Sequence, residues 1–289
     1  MTTTPNWFDI GVNLMDKRFN ADRDQVVQRA RDAQVMGMLI TGTDLDSSTR
    51  AANYCESDNT SRHIGPEPLI YSTSTSTSTS SALASTAGVH PHNADAVDPT
   101  TQRSLVELLA SPSVRAVGEC GLDFNRNFST PTNQRAAFQL QIELAQDLDL
   151  PLFVHDRDSH GEVASFLDRT NLSAERVVIH CFTGDRHTLD SYLERGYYIG
   201  ITGWVADPNR GQPLSELIPS IPLNRLLLET DAPYLWPRNA PRRPKAGRNE
   251  PSYLPWVAQR VAELCDIHLD QLAAVTTSNA RQLFFNDAQ

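Results

Sequence analysis

Short apolar runs alternate with longer amphipathic stretches along most of this chain of 289 residues. The apolar runs have the length and composition of strands that are buried on both faces of a sheet. The amphipathic stretches have helical periodicity: within Thr132–Leu148, for example, Phe138, Ile142 and Ala145 fall on one face. Eight apolar runs are predicted strands: Trp7–Val12, Met36–Gly42, Ala84–Val89, Val114–Glu119, Pro151–His155, Arg176–His180, Tyr197–Ile201 and Arg225–Thr230.

The alternation of strands and helices predicts an α/β fold with a parallel sheet that helices cover on both faces. Eight repeats favour a closed (β/α)8 TIM-type barrel, which forms a single domain over residues 1–289. An open doubly wound sheet is the alternative, because the pattern does not report closure. No GxGxxG or GxxxxGK[ST] sequence follows a predicted strand, which argues against dinucleotide-binding and P-loop sites. The other predicted helices are Asp22–Gln34, Ser47–Cys55, Tyr253–Leu264 and Leu269–Leu283.

One segment interrupts this alternation before the third predicted strand. Residues 57–83 contain few apolar side chains, and they include a run in which serine and threonine alternate. Such a segment cannot bury enough apolar surface to offset the entropy that ordering costs. We therefore predict a low-complexity, mobile surface insertion that has no chemical role.

The overall charge limits the ways in which this chain can bind a polyanion. Its formal net charge is −10, so it is not expected to coat nucleic acid by bulk attraction and would need a local basic patch or a metal. The four cysteines form no CxxC pair, which argues against a zinc ribbon and a disulfide framework. No signal peptide or membrane-spanning stretch is evident, so we predict a soluble cytoplasmic protein.

Histidine and acidic side chains end five of the predicted strands. They are His90, Glu119, His155, His180 and Asp231. Because the carboxyl ends of the strands meet at one face of a barrel, we expect these side chains to form a divalent-metal site there. Each residue alone has another interpretation: a histidine as a surface or capping residue, Glu119 as an ion-pair partner, and Asp231 as a turn residue.

A metal site of this kind predicts hydrolysis. A divalent ion lowers the pKa of a bound water, and a carboxylate beside it can accept the remaining proton. Asp231 is the predicted general base. The chain has no GxSxG sequence, and no cysteine lies in a recognisable nucleophile motif, so covalent catalysis lacks support.

A basic loop close to the predicted metal site indicates a phosphate ester as the substrate. Pro237–Arg248 follows Asp231 and carries five basic residues and no acidic one, although it could also be a solvated segment. Arg126 and Arg157 lie near the predicted ligands and could hold phosphates, or they could form ion pairs with Asp123, Asp156 or Asp158. Three aromatic residues near the last two strand ends could stack on bases or simply pack at the rim: Trp204, Tyr234 and Trp236.

The same residues lie in sequence blocks that identify a family resemblance. The chain resembles the TatD-type metal-dependent deoxyribonucleases, which belong to the amidohydrolase-like barrels. Several blocks in one order make this a specific signal, and together they cover nearly the whole chain. The blocks are Phe8–Leu14, Gly42–Asp44, Ala87–His92, Gly118–Arg126, His155–Asp158, His180–Gly184, Glu229–Leu235 and Arg248–Pro251.

The resemblance implies a barrel that hydrolyses DNA phosphodiesters with a divalent metal. The branch with this first block resembles cytosolic, magnesium-dependent 3′–5′ exonucleases that prefer single strands, and Mn²⁺ or Zn²⁺ are alternative metals. The implied metal ligands are Glu119, His155, His180 and Asp231, of which Asp231 and Glu119 are also the implied catalytic residues. The implied substrate-binding residues are His90, His92, Asp123, Arg126, Arg157 and Arg248.

One departure from the family leaves the number of metals open. The first strand of the family usually ends in His-x-His, whereas Gly11 and Asn13 occupy those positions here. Two alternatives to a nuclease therefore remain: a metal-dependent hydrolase of small ester, amide or aminoacyl substrates, and a degenerate scaffold that binds without catalysis. The expected partner is single-stranded DNA as substrate, with RNA as a further candidate, and neither a membrane nor an obligate protein partner is expected.

Overall fold

Eight parallel strands follow one another around the sheet in the order of the chain. The computed structural model describes residues 5–63, 82–242 and 247–286. Each strand pairs in parallel with the next, from the first to the eighth. The strands are β1 Trp7–Val12, β2 Val35–Ile40, β3 Ala82–Ala87, β4 Val114–Asp123, β5 Leu152–Arg157, β6 Val177–His180, β7 Tyr198–Ile201 and β8 Leu226–Leu228.

Contacts between the first and last strands close the sheet. Val12 forms a parallel bridge with Ala232, just beyond β8. The Asp231 amide donates to the Gly11 carbonyl at 2.8 Å, and the Asn13 amide donates to the Ala232 carbonyl at 2.8 Å. The (β/α)8 barrel is therefore confirmed, and the open sheet is not formed.

Helices connect successive strands and cover the outside of the barrel. Helix α2 continues past its predicted end at Cys55 to His63, so residues 57–63 are helical, and the rest of the predicted insertion up to residue 81 lies outside the described residues. Within the described ranges, no helix combines the length and apolarity that a membrane crossing requires. The helices are α1 Arg23–Asp32, α2 Leu45–His63, α3 Pro99–Leu109, α4 Pro131–Asp147, α5 Glu162–Leu167, α6 Arg186–Glu194, α7 Gln212–Leu217, α8 Leu254–Cys265 and α9 Leu269–Phe285.

The apolar core has two parts, as strand alternation requires. A large cluster lies between strands and helices, and it includes Leu226 and Leu228 of β8. A smaller cluster fills the barrel and includes Leu227, while Leu283 and Phe284 of α9 pack against it. Every strand contributes at least one side chain to this inner cluster, from Phe8 and Ile10, Leu39, Ala84, Ala116, Phe153, Val178, Tyr198 and Leu227.

Strand β4 differs from its prediction in a way that matters for the site. It was expected to end at Glu119, but it continues to Asp123. The register with β5 shifts between Val117 and Cys120, which marks an irregularity, and Gly118 has a φ of 136° that only glycine adopts easily. Glu119 is therefore placed by a bulge inside a long strand, and Asp123 occupies the strand end.

Candidate metal centre and active site

Strand alternation explains why polar side chains enter the barrel mouth. Side chains two residues apart on a strand point to the same face. His155 follows the inward-facing Phe153 by two residues, and His180 follows Val178 in the same way. These imidazoles therefore continue the inner apolar cluster toward the carboxyl ends of the strands, where active sites of such barrels lie.

Glu119 is the centre of this polar group, with one carboxylate oxygen facing three imidazoles. Its Oε1 lies 2.7 Å from His180 Nε2 and 3.1 Å from His155 Nδ1. His90 Nε2 lies 3.3 Å from the same oxygen. Glu119 is only 5% exposed, so these contacts are made away from bulk water.

The imidazoles keep this buried carboxylate ionised. Burial acts to raise the pKa of Glu119, but His180, His90 and His155 outweigh it and hold the pKa well below its usual value. Burial acts in the opposite direction on His180, where Glu119 and Glu229 raise the pKa well above its ordinary value. The negatively charged Glu119 Oε1 therefore lies among three imidazole nitrogens.

The donor set fits a divalent metal ion. One ligand atom each from His90, Glu119 and His155 can be chosen so that all three lie within 4.8 Å of one another. His155 Nε2 is buried and lacks a hydrogen-bond partner, although Asp123 Oδ2 lies 3.4 Å away. This nitrogen faces Asp123, whereas Nδ1 faces Glu119 Oε1, and two imidazoles with one carboxylate are a donor set that binds divalent ions. The structure thus supports a metal at this cluster on an observation independent of the sequence blocks.

The cluster only partly matches the predicted ligand set. It contains Glu119 and His155 as predicted, and it also contains His90, which was assigned to substrate binding. His180 contacts Glu119, but neither His180 nor Asp231 belongs to this group of possible ligands among the described residues. Ligand roles for His180 and Asp231 therefore stay predictions.

Asp231 lies on the other side of the mouth, where β8 meets β1. Its Oδ1 accepts a hydrogen bond from Asn13 Nδ2 at 2.8 Å. Burial raises the pKa of Asp231 to about 7, even though the nearby His180 lowers it. A carboxylate with this pKa can take up and release a proton near neutral pH, as a general base must.

The sequence analysis missed Glu229, which lies two residues beyond the inward-facing Leu227. Its side chain is fully buried, and its Oε2 lies 3.3 Å from His180 Nδ1. Its Oε1 accepts the amide hydrogen of Cys181 at 2.5 Å. With a metal bound, a proton held on Nδ1 by Glu229 would leave Nε2 of His180 as the nitrogen that can coordinate the ion. The period-two pattern was the signal that could have identified it.

Two glycines leave the space that Glu229 occupies. A Cβ built on Gly11 would lie 2.2 Å from Glu229 Oε2, and one built on Gly200 would lie 2.5 Å from Oε1. Gly11 is also the position of the first histidine in the family's His-x-His. The carboxylate of Glu229 therefore fills the volume beside β1 that a side chain at residue 11 would need.

Among the predicted substrate-binding residues, the side chain of His92 contacts an acidic neighbour, whereas those of Arg126 and Arg157 form no ion pair within the described residues. His92 Nε2 donates to Asp123 Oδ2 at 2.7 Å, which fixes this imidazole beside the cluster. Arg126 is exposed and Arg157 is partly exposed. Within the described part of the chain, neither arginine forms an ion pair, so the pairs considered with the neighbouring aspartates are not made.

Arg248 is held by acidic neighbours. Its guanidinium contacts Asp22 Oδ1 at 2.7 Å and Glu250 Oε1 at 2.6 Å. Only 21% of the side chain is exposed, and two carboxylates neutralise it, so it offers little charge to a phosphate. Two basic residues of the predicted loop, Arg243 and Lys245, lie outside the described residues. Substrate binding by this loop remains a prediction.

Comparison with known proteins identifies close relatives over nearly the whole chain. The sequence matches the family model described as TatD related DNase over residues 8–285. A protein named 3′-5′ ssDNA/RNA exonuclease TatD from Erwinia amylovora is 48% identical over 284 residues, which are 96% of this chain and 99% of the relative. The protein of the same name from Escherichia coli K12 is 45% identical over 277 residues, covering 96% and 98%.

Solved structures agree with the barrel. A TatD homologue from Escherichia coli K12, YJJV, superposes with a TM-score of 0.81 at 25% identity and covers 96% of this chain and 97% of its own. A hydrolase of the TatD family from Entamoeba histolytica gives a TM-score of 0.81 at 24% identity, with coverage of 98% and 99%. The second likeness shows the shared fold alone.

Proposed function

Because the chain belongs to the TatD-related DNase family, we propose that it is a metal-dependent 3′–5′ exonuclease that hydrolyses single-stranded DNA, with RNA as a second substrate. Relatives at 45% and 48% identity carry that name and match along nearly their whole length. The observation that carries the proposal is the cluster of His90, Glu119 and His155, whose ligand atoms lie within 4.8 Å of one another. This donor set favours an active hydrolase over a degenerate scaffold.

The metal ligands in this proposal are His90, Glu119, His155 and His180, with Mg²⁺ as the physiological ion. A divalent ion held there supplies Lewis-acid chemistry: it lowers the pKa of a bound water and neutralises charge on a phosphate. Glu229 fixes the His180 tautomer from the far side of the ring. The side chains around the cluster thus hold the proposed metal ligands in fixed orientations.

Proton transfer is assigned to Asp231. Its Oδ1 is occupied by the Asn13 amide, which leaves Oδ2 to accept a proton from the attacking water. The guanidinium groups of Arg126 and Arg157 carry no intramolecular ion pair within the described residues and are assigned to substrate phosphates. The imidazole of His92, which contacts Asp123, is assigned to orienting the DNA strand.

A cytoplasmic location is also part of the proposal. All four cysteines are free thiols, and Cys55 and Cys120 are buried, as suits a reducing compartment.

The decisive test follows mononucleotide release from a single-stranded oligonucleotide that carries a label at one end only. With Mg²⁺, we expect a 3′ label to be released first as a mononucleotide and a 5′ label to remain on progressively shorter products. EDTA or Glu119→Ala should reduce the rate by about 10³-fold or more, since the metal is lost. Glu216→Ala, at an exposed position, serves as the matched control. Activity that survives both EDTA and Glu119→Ala would sink the proposal, and early release of a 5′ label would reverse the direction.

A further inference from the structure

A small cavity of about 160 Å³ lies beside the catalytic side of the barrel mouth. It is formed by the loops that follow β7 and β8, so it opens on the same face as Asp231. Its walls combine two indole rings with charged groups. The residues that matter here are Trp204, Asp207, Arg210, Trp236 and Arg238.

Backbone contact holds the two loops together. A Cβ built on Gly203 would lie 2.1 Å from the Leu235 carbonyl oxygen and 2.9 Å from the Pro237 nitrogen, so only glycine permits this approach. Thr202 Oγ1 accepts the Trp204 amide hydrogen at 3.2 Å and fixes the start of the first loop. The cavity therefore has a set position relative to Asp231, which precedes Leu235 in the second loop.

One wall of the cavity carries an unsatisfied donor. Trp236 Nε1 is buried and has no hydrogen-bond partner within the part of the chain that the structure describes. Trp204 Nε1, by contrast, donates to the Arg210 carbonyl at 3.2 Å. Buried N–H groups in proteins almost always find an acceptor, so a ligand acceptor atom that reached Trp236 Nε1 would satisfy it.

The charges around the cavity favour an anionic ligand. Arg210 and Arg238 lie over the rings of Trp204 and Trp236, with guanidinium carbons 4.3 and 5.7 Å from the ring centroids. Both arginines approach the one carboxylate of Asp207, at 3.0 and 4.0 Å. Because the two guanidinium groups share one carboxylate, this group of three side chains carries one net positive charge. The side chain of Arg210 is 56% exposed and that of Arg238 is 46% exposed.

We propose that this cavity is a nucleotide subsite. A base stacks against the indole and guanidinium surfaces and accepts a hydrogen bond from Trp236 Nε1, while a phosphate contacts Arg210 and Arg238. The subsite rests on the proposed nuclease function: it holds a nucleotide of the bound strand adjacent to the one that is cleaved. The sequence alone allowed base stacking or rim packing for these indoles, and the guanidinium groups beside both rings favour nucleotide binding.

The first test measures binding of dAMP, 2′-deoxyadenosine and inorganic phosphate to the whole protein by calorimetry. We expect saturable binding of dAMP that is stronger than that of either fragment. Trp236→Phe keeps an aromatic ring but removes the donor, and it should weaken dAMP binding about tenfold. Arg210→Gln, at a position that is 56% exposed, should bring the affinity for dAMP down to that for deoxyadenosine. Trp256→Phe is the matched control, because Trp256 lies outside the cavity.

A kinetic measurement separates this subsite from the nuclease function. For a single-stranded oligonucleotide, Trp236→Phe should raise KM about tenfold and leave kcat within about twofold, because the altered contact is away from the cleaved bond. If the wild type cleaves DNA but neither dAMP affinity nor KM responds to Trp236→Phe or Arg210→Gln, the subsite is wrong and the function stands. If dAMP binding depends on Trp236 but no DNA is cleaved, the subsite stands and the proposed function fails.

Discussion

The two sides of the barrel mouth hold buried carboxylates in opposite electrostatic environments. On the side of β4 to β6, the pKa of Glu119 is held well below its usual value. On the side where β8 meets β1, burial raises the pKa of Asp231 to about 7, and on the outer face of β1 it raises that of Asp9 to about 8. Asp9 and Glu119 are buried and Asp231 is partly buried, so burial alone does not explain the difference.

The difference comes from what faces each carboxylate. Glu119 faces imidazoles on three sides, which stabilise its negative charge. Asp231 receives a hydrogen bond only from the neutral amide of Asn13 among the described contacts, and Asp9 receives hydrogen bonds from Gly11 and Thr230. Neutral donors offset burial less well than a neighbouring cation does. One side is thus suited to holding a metal ion, and the other to holding a proton.

The largest change that separates these two roles is Asp231→Asn. If Asp231 accepts the proton, the amide should lower kcat by about 10²- to 10⁴-fold, because general-base catalysis is lost. The affinity for Mn²⁺ should change little, since the ion is held on the opposite side. Steady-state kinetics and calorimetry on the same preparation measure both quantities. A loss of Mn²⁺ binding together with kcat would make Asp231 a ligand instead.

A smaller effect is expected from Glu229→Gln. The Gln amide oxygen can still accept a hydrogen bond from the Cys181 N–H. Its NH₂ group, however, cannot accept a hydrogen bond from His180 Nδ1. The preferred tautomer of His180 should be lost, and Mn²⁺ affinity should fall about 10- to 100-fold. Glu216→Gln, an exposed site, is the control. Unchanged Mn²⁺ affinity would show that Glu229 only fills space beside Gly11.

The smallest effect concerns stability and the carboxyl group of Asp9 on the outer face of β1. Asp9 Oδ1 accepts the Thr230 and Gly11 amide hydrogens, and Thr230 Oγ1 contacts Oδ2, so Asp9→Asn preserves the hydrogen-bond pattern. Burial raises the folded-state pKa of Asp9 from 3.8 to about 8, so the folded state holds a proton that the unfolded state has released between those values. The stabilisation is complete below the unfolded pKa and is lost as the pH rises through the folded pKa.

Denaturant unfolding of the wild type and Asp9→Asn tests this linkage. Relative to the variant, the wild type should lose about 1.4 kcal/mol of unfolding free energy per pH unit between pH 5 and pH 7. Parallel stability curves for the two proteins over this range would show that Asp9 is ionised in the folded state.

The sequence predicted the barrel because strand length and helical periodicity are local properties. The eight runs correspond to the eight strands, and the period-two pattern places His155 and His180 inward. The roles of other residues depend on contacts between distant segments. Arg248, for example, forms an ion pair with Asp22, which is far away along the chain, and no local pattern predicts this contact. The register shift beside Glu119 is likewise a property of two paired strands, β4 and β5, which no local pattern reports.

Metal stoichiometry tests the central claim most directly, namely that the ion binds only on the histidine side of the mouth. Calorimetric titration of the metal-free protein with Mn²⁺ should give one ion per chain. Glu119→Gln keeps the shape of the side chain but removes the charge that the imidazoles stabilise, so binding should become at least about 100-fold weaker. Two ions per chain, or unchanged affinity in Glu119→Gln, would contradict this division of the barrel mouth.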